Sequence, residues 1–188
     1  MAKVLMKGNE AIGAAAIKAG ASSVMVNSGE VNGVPVHGSK YILQDILRKE
    51  LGFDGVVVSD WEDIIRLHTR HRVAESPRAA VVMGVNAGID MSMVPSDYSF
   101  YDLLLEAVKK GEVSTARINE AVKRILILKM RLGLFDNPYP EPEAIANFGK
   151  SEYEEVALQA AHEAITLLKN KDLILPLTKD KKILLAGP

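Results

Sequence analysis

The sequence lacks cysteine, an excess of charge of either sign, and any long apolar run. None of the 188 residues is a cysteine, which excludes disulfide bonds and thiolate metal sites. The formal net charge is −1 and no block of like charge occurs, so we expect no nucleic-acid partner. No apolar run approaches the roughly 20 residues that a membrane-spanning helix needs, so we expect no membrane partner either.

The first 20 residues do not have the pattern of an export signal. Lys7 and Glu10 interrupt the apolar and small residues there, so the sequence predicts no signal peptide. Hydrophobic residues make up 48% of the chain, which is enough to form a buried core. The length indicates one domain, or one domain and a piece of a second.

Short apolar segments alternate with segments of helical periodicity. The predicted strands are residues 23–27, 55–59 and 89–93. The predicted helices are residues 9–19, 39–51, a short segment after Asp60, 76–87, 97–110 and 115–132, with Ser39, Ser76 and Ser114 as N-caps. Residues 28–38 are rich in glycine, proline and asparagine and are predicted to form a loop. This alternation indicates βα units and a parallel sheet, either a small open α/β sheet or part of a (β/α)8 barrel.

The composition changes after residue 135. Residues 136–149 contain three prolines and are predicted to be an extended linker. Ser151 and Glu154 match a capping box, which predicts a helix from residue 151 to about residue 169. Residues 181–188 are predicted to be a strand. Because a strand needs partners for its backbone, the sequence indicates the start of a second α/β domain.

Residues 52–63, GFDGVVVSDWED, place polar side chains at the end of a buried strand. Ligands of parallel α/β proteins bind at the carboxyl ends of strands. Asp60 beside Trp61 suits a sugar, because an indole packs against a pyranose ring and a carboxylate can attack an anomeric carbon. Asp60 could equally cap the helix that follows it, and the residues alone leave both roles open. The other strand ends offer Asn27, Ser28, Glu30 and Asn32, and Asp90 and Ser92.

Two histidines, His68 and His71, lie three residues apart in a charged segment. This spacing could bind zinc on a helix. We favour a solvated, charged segment, because catalytic zinc sites carry a clearer motif.

The segment around Asp60 resembles glycoside hydrolase family 3, which includes β-glucosidases, β-xylosidases and exo-β-glucanases. Residues 47–61 match the family pattern LR-x-ELGF-x-G-x-V-x-SDW at every position. The likeness continues through AGIDMSM and RINEAVKRILILKMRLGLFDNPYP. The resemblance implies the C-terminal part of a TIM-type (β/α)8 barrel at 1–135, an interdomain linker at 136–150 and the start of an α/β sandwich domain at 151–188.

The same resemblance implies roles for individual residues. Asp60 corresponds to the catalytic nucleophile, Trp61 to an aromatic that lines the sugar subsite, and Arg66 to a substrate-contacting arginine. Ser28 stands where many members have a tyrosine that supports the nucleophile. The acid/base residue of this family comes from a later region, and the resemblance implies no metal and no organic cofactor.

Two hypotheses follow for the function. In the first, the chain is a fragment of a retaining glycosidase that removes terminal non-reducing β-linked sugars, from a family whose members are often secreted or periplasmic. In the second, the chain is a non-catalytic α/β module that needs a partner, or self-association through exposed barrel edges, to complete its fold.

Overall fold

The computed structural model describes residues 14–95, 97–184 and 186. The chain divides into two units, residues 1–138 and 139–188, and each is described by itself. None of the helices among the described residues is long and apolar enough to cross a membrane.

The first unit is built on a three-stranded parallel sheet. Its strands are β1 (Ser23–Met25), β4 (Val56–Trp61) and β5 (Met91–Met93), in the order β1-β4-β5. The helices are α1 (residues 14–18), a π-helix (Tyr41–Glu50), α2 (Asp63–Thr69), α3 (Pro77–Ala87), α4 (Ser99–Lys109) and α5 (Thr115–Arg131). The first part of the predicted helix 9–19 lies outside the described residues. The prediction of βα units around a parallel sheet is confirmed.

The core lies where β4 meets the helices. Val57 of β4 is fully buried, and Val81 of α3 and Ile89 before β5 are almost completely buried beside it. An apolar strand in the middle of a parallel sheet is covered on both faces, which accounts for the unbroken run of valines in β4. β4 is thus a buried central strand, and its carboxyl end carries Ser59, Asp60 and Trp61.

The segment 28–38 contains more structure than the predicted loop. β2 (Glu30–Val31) and β3 (Val34–Pro35) form an antiparallel hairpin, and a 3₁₀ turn (Val36–Gly38) follows it. Asn32 and Gly33 form the turn, with positive φ angles of 52° and 76°. Asn-Gly between two valines is a strong hairpin signal, because both turn positions need the left-handed conformation.

The third strand starts later than predicted, and this changes the place of Asp90. β5 begins at Met91, so Asp90 precedes the strand at its amino end and lies opposite the end that carries Asp60. Its carboxylate is fully buried and accepts hydrogen bonds from Arg48 (2.8 Å), Arg117 (2.8 Å) and Arg124 (3.0 Å). The main-chain N–H of Val57 also donates to it, at 3.0 Å. Asp90 therefore holds the unit together and is not part of a strand-end site.

Two of the predicted caps are formed as expected. The Ser76 hydroxyl accepts from the N–H of Ala79 at 3.1 Å, with Pro77 at the first helical position of α3. The Ser114 hydroxyl accepts from the N–H of Arg117 at 3.1 Å. The Ser39 hydroxyl accepts from Ile42 at 3.3 Å, although the π-helix itself begins at Tyr41. These side chains satisfy N–H groups that the first helical turn leaves unpaired.

The second unit contains one α-helix among its described residues, α6 (Ser151–Ala164). The predicted capping box is wrong, because Ser151 is the first helical residue and Lys150 occupies the cap position. The helix also ends five residues before the predicted end at residue 169. Residues 181–184 and 186 are not in a strand, and the described part of this unit offers no sheet that a strand could join.

Candidate active site

Asp60 lies near the carboxyl end of β4, and both of its carboxylate oxygens accept hydrogen bonds. The Ser28 hydroxyl donates to Oδ2 at 2.8 Å, and the main-chain N–H of Trp61 donates to Oδ1 at 2.6 Å. Each oxygen that accepts one hydrogen bond keeps a further lone pair. The side chain is therefore held in one orientation and can still react.

The alternative that Asp60 caps the following helix is wrong. The helix α2 begins at Asp63, Glu62 occupies the cap position, and no described side chain caps it. Within the described part of the chain, the main-chain donor to the Asp60 carboxylate is Trp61, which lies in the strand and not in α2. The strand continues through Asp60 and Trp61 instead of ending at residue 59 as predicted.

The surroundings of Asp60 favour its ionised form. The hydrogen bond from the Trp61 N–H lowers the pKa of Asp60 most, and the hydrogen bond from Ser28 lowers that pKa further. The nearby charge of Arg66 acts in the same direction, whereas partial desolvation opposes it. Hydrogen bonds to a carboxylate stabilise its charged form, so Asp60 is an anion at neutral pH.

Trp61 lies next to this carboxylate and is accessible to a ligand. Its side chain is 53% exposed. The residue after it, Glu62, has a positive φ of 59°, an uncommon conformation for a residue with a side chain. The N–H of Glu62 donates to the Met93 carbonyl at 3.0 Å, which links this turn to β5. The fully buried Ser59 adds a second link, because its hydroxyl accepts from the Met93 N–H at 2.8 Å.

His37 is a site residue that the sequence analysis missed. The main-chain N–H of Asp60 donates to its Nε2 at 3.0 Å, and the ring is 3% exposed. Its Nδ1 lies 3.8 Å from Oδ2 of the buried Asp63. Burial lowers the pKa of His37, and this effect exceeds the opposing attraction of Asp63 and Asp60. No motif marks His37 in the sequence, because its partner is 23 residues away.

Arg66 contacts Asp63 and not Asp60. Its Nη1 donates to Asp63 Oδ1 at 2.7 Å, and about a third of the arginine side chain is exposed. The other predicted site residues, Ser28 and Trp61, do meet Asp60 directly. The arginine therefore forms an ion pair within α2 and contributes positive charge near Asp60.

The remaining histidines and carboxylates near the site have separate partners. His71 Nδ1 lies 2.6 Å from Glu30 Oε1, whereas His68 Nδ1 lies 2.9 Å from the Ala74 carbonyl. Among the described residues, no group of three or more histidine or carboxylate side chains is placed to hold a metal ion. His68 and His71 thus support the segment after α2 through two different contacts.

One groove of the first unit is lined by residues other than Asp60. It has a volume of about 790 Å³ and is lined by the β2–β3 hairpin, the start of the π-helix and α3. None of Ser28, Asp60 and Trp61 lines it. The hydrogen bonds to Asp60 and the shift of its pKa, and not this groove, identify the candidate site.

Comparison with known proteins identifies the family. Residues 5–128 match the model described as the glycosyl hydrolase family 3 N-terminal domain. A lysosomal beta glucosidase of Dictyostelium discoideum is 50% identical over 174 residues, which are 90% of this chain and 21% of that protein. A beta-xylosidase of Formosa agariphila is 39% identical over 183 residues, which are 93% of this chain and 25% of that protein.

A solved structure has the same fold. The beta-glucosidase of Listeria innocua, in complex with glucose, superposes with a TM-score of 0.73 at 35% identity. The match covers 87% of this chain and 22% of that one. The chain thus spans between a fifth and a quarter of the length of these three proteins. The chain belongs to glycosyl hydrolase family 3, and its first unit is part of the barrel domain of that family.

Proposed function

We propose that this chain carries the nucleophile half of a retaining β-glycosidase that removes terminal non-reducing β-linked sugars. The observation that carries the proposal is the Asp60 carboxylate, which is oriented by Ser28 and Trp61 and kept ionised by the same two donors. A nucleophilic carboxylate must be charged and must have a fixed direction of attack. Names of relatives support a β-glucoside or a β-xyloside as the substrate.

The proposed reaction has two steps. Asp60 attacks the anomeric carbon and forms a glycosyl ester, while an acid protonates the departing oxygen. Water then attacks the same carbon, the bond from that carbon to Asp60 breaks, and the sugar and the free carboxylate are released. The proton of the water goes to the conjugate base of that acid. The two carboxyl groups of a retaining pair lie roughly 5–5.5 Å apart. We assign the acid to a region other than the described residues, and we assign neither Glu30 nor Glu62 to it.

We propose three supporting roles at this site. Trp61 packs its exposed indole against the apolar face of the sugar ring. Ser28 orients the carboxylate through its hydroxyl, in the position where many family members have a tyrosine. Arg66 acts from a distance through its charge, because its guanidinium is bonded to Asp63.

The proposed domain organisation follows the resemblance. Residues 1–135 are part of the catalytic (β/α)8 barrel, residues 136–150 link the domains, and residues 151–188 begin an α/β sandwich domain. Support for an incomplete barrel comes from the edge strands of the sheet. Met25 of β1 and Met91 of β5 are 56% and 51% exposed, although apolar side chains of barrel strands are normally covered.

Hydrolysis of an aryl β-glucoside and an aryl β-xyloside by the purified chain tests the proposal. An aryl leaving group departs with little help from an acid, so the reaction depends mainly on the nucleophile. We expect phenol release by the wild-type chain and a loss of at least about a thousandfold in Asp60→Asn. Asp54→Asn is the matched control, because Asp54 is an exposed carboxylate on the same segment. Equal rates in the wild type and in Asp60→Asn would refute the role of Asp60.

The edge strands β1 and β5 also support a second candidate function. In this alternative the chain is a non-catalytic module that associates through β1 and β5, each of which has an unpaired edge in the described part of the sheet. Sedimentation velocity over a range of concentrations tests it. Folded, inactive oligomers that dissociate on dilution would favour this alternative, whereas an active monomer would exclude it.

A further inference from the structure

We propose that His37 is a positioning residue that holds the main chain of Asp60 through a hydrogen bond to its Nε2. The consequence for catalysis rests on the proposed role of Asp60 as the nucleophile, but the hydrogen bond and its effect on Asp60 can be tested without turnover. The main-chain N–H of Asp60 lies 3.0 Å from Nε2, and the imidazole is almost completely buried.

The position of Asp60 in the sheet explains why this donor needs a side-chain acceptor. The register between β1 and β4 pairs residues up to Val58, and the pairing of β4 with β5 shifts between Val58 and Trp61. The Val58 carbonyl accepts from Val26, so the N–H of Asp60, two residues later, lies on the same β1 side of β4. It is beyond the last β1–β4 pair, so the ladder supplies no acceptor for it. An imidazole nitrogen supplies one, since unpaired main-chain donors are rare away from water.

The direction of this hydrogen bond fixes the tautomer of His37. Because Nε2 accepts, the proton of the neutral ring is on Nδ1. That nitrogen lies 3.8 Å from Asp63 Oδ2, a buried oxygen that accepts no hydrogen bond from the described residues. Asp63 is held through its other oxygen by Arg66 at 2.7 Å. The Asp63 carboxylate, which Arg66 holds in place, therefore favours a proton on Nδ1. This tautomer leaves Nε2 free to accept.

The charge state of the ring is consistent with this role. An imidazolium carries protons on both nitrogens and cannot accept from Asp60. Burial lowers the pKa of His37, and the charges of His71 and Arg66 act in the same direction, whereas Asp63 and Asp60 oppose them. The neutral form, and with it the hydrogen bond, is retained at neutral pH.

His37 and Ser28 hold Asp60 from the same segment, residues 28–38. Ser28 contacts the carboxylate, and His37 contacts the main chain of the same residue. The N–H of Val36 donates to the Gly29 carbonyl at 3.1 Å and closes the base of the segment. The β2–β3 hairpin thus connects the residue that contacts the Asp60 carboxylate with the residue that contacts the Asp60 main chain.

Nuclear magnetic resonance of the ¹⁵N-labelled chain tests the proposal without a substrate. We expect a scalar coupling across the hydrogen bond between the Asp60 amide nitrogen and His37 Nε2, and a ring protonated on Nδ1. In His37→Leu, the Asp60 amide should exchange with solvent at least about tenfold faster. His37→Gln places an amide oxygen near the position of Nε2 and should restore most of the protection. His68→Leu is the matched control, because His68 contacts the main chain at Ala74.

Kinetics with an aryl β-glucoside test the consequence of the His37 hydrogen bond for catalysis. We expect His37→Leu to lower kcat by about 10- to 100-fold with little change in KM, because a displaced nucleophile loses alignment in the transition state. His37→Gln should recover part of that loss. A ring protonated on Nε2, or an Asp60 amide that exchanges equally fast in wild type and His37→Leu, overturns the proposal. A chain that shows the coupling but no turnover supports the positioning role and contradicts the proposed catalysis alone.

Discussion

At the scale of single residues, two donors of different kinds share the Asp60 carboxylate. The Trp61 N–H belongs to the main chain and is kept in every substitution except proline, whereas Ser28→Ala removes the Ser28 hydroxyl. Both lower the pKa of Asp60 because both stabilise the carboxylate relative to the carboxylic acid. The contribution of Ser28 can therefore be measured separately.

We predict that Ser28→Ala lowers kcat/KM for an aryl β-glucoside about tenfold and moves the acidic limb of the pH profile to higher pH. The sign follows from the loss of a donor. The pKa of Asp60, which the hydrogen bond lowers, rises when the donor is removed, so the carboxylate is protonated and inactive at a higher pH than in the wild type. The measurement is kcat/KM against pH for both proteins.

Ser23→Ala is the control for this substitution. Ser23 is an exposed residue of β1, the strand that leads to Ser28. Ser23→Ala should leave both kcat/KM and the acidic limb of its pH profile unchanged. An acidic limb of Ser28→Ala that coincides with the wild type would contradict the account of how Asp60 is kept ionised.

At the scale of elements, the Ser76 cap stabilises α3, a helix that packs in the core. Ser76 satisfies an N–H of the first turn, and the helix contributes the buried Val81 and Val85. We predict that Ser76→Ala lowers the free energy of unfolding by about 1 kcal/mol. Ser151→Ala should leave it unchanged, since Ser151 does not cap α6. Urea unfolding followed by circular dichroism measures the free energy of unfolding of both variants and of the wild type. A Ser76→Ala variant as stable as the wild type would show that the cap at Ser76 contributes nothing.

The sequence was informative about elements wherever the signal was local. The Ser76-Pro77 start of α3 and the Ser114 start of α5 were predicted because capping depends on neighbouring residues. Asn32-Gly33 is also a local signal, and it indicates a hairpin where the sequence analysis predicts a loop. The late start of β5 and the continuation of β4 through Trp61 depend on pairing between distant strands, which periodicity does not record.

The sequence also predicts only part of the candidate site. Asp60, Trp61 and Ser28 follow strand ends or match the family pattern, and the structure brings them together. His37 was missed because it approaches Asp60 only after the hairpin has folded. The contact between Arg66 and Asp63 within α2 shows why a matching position does not establish contact with a ligand.

At the scale of the whole first unit, the buried Asp90 carboxylate joins elements that are distant in sequence. It accepts from Arg48 of the π-helix and from Arg117 and Arg124 of α5. Arg48 also donates to the carbonyls of Phe53 (2.9 Å) and Gly55 (2.6 Å), and its guanidinium lies 5.1 Å from the centre of the Phe53 ring. Part of the family pattern at 47–61 therefore serves the fold and not the chemistry.

We predict that Asp90→Asn lowers the free energy of unfolding by about 3–5 kcal/mol, because it removes the charge that compensates three largely buried guanidinium groups. Asp54→Asn is the control. It breaks a single exposed contact with Arg131 and should change the free energy by less than about 1 kcal/mol. Chemical unfolding of both variants measures the difference, and similar stabilities would contradict a central role for Asp90.

The most direct test of the account is to trap the glycosyl ester on Asp60. An aryl 2-deoxy-2-fluoro-β-glucoside with a dinitrophenolate leaving group needs no acid for the first step, and its fluorine slows hydrolysis of the ester. Mass spectrometry of the intact chain and of its peptides should show one sugar attached to Asp60 in the wild type and none in Asp60→Asn. Attachment to another carboxylate, such as Glu30 or Glu62, or equal labelling of Asp60→Asn, would contradict the assignment of Asp60 as the nucleophile.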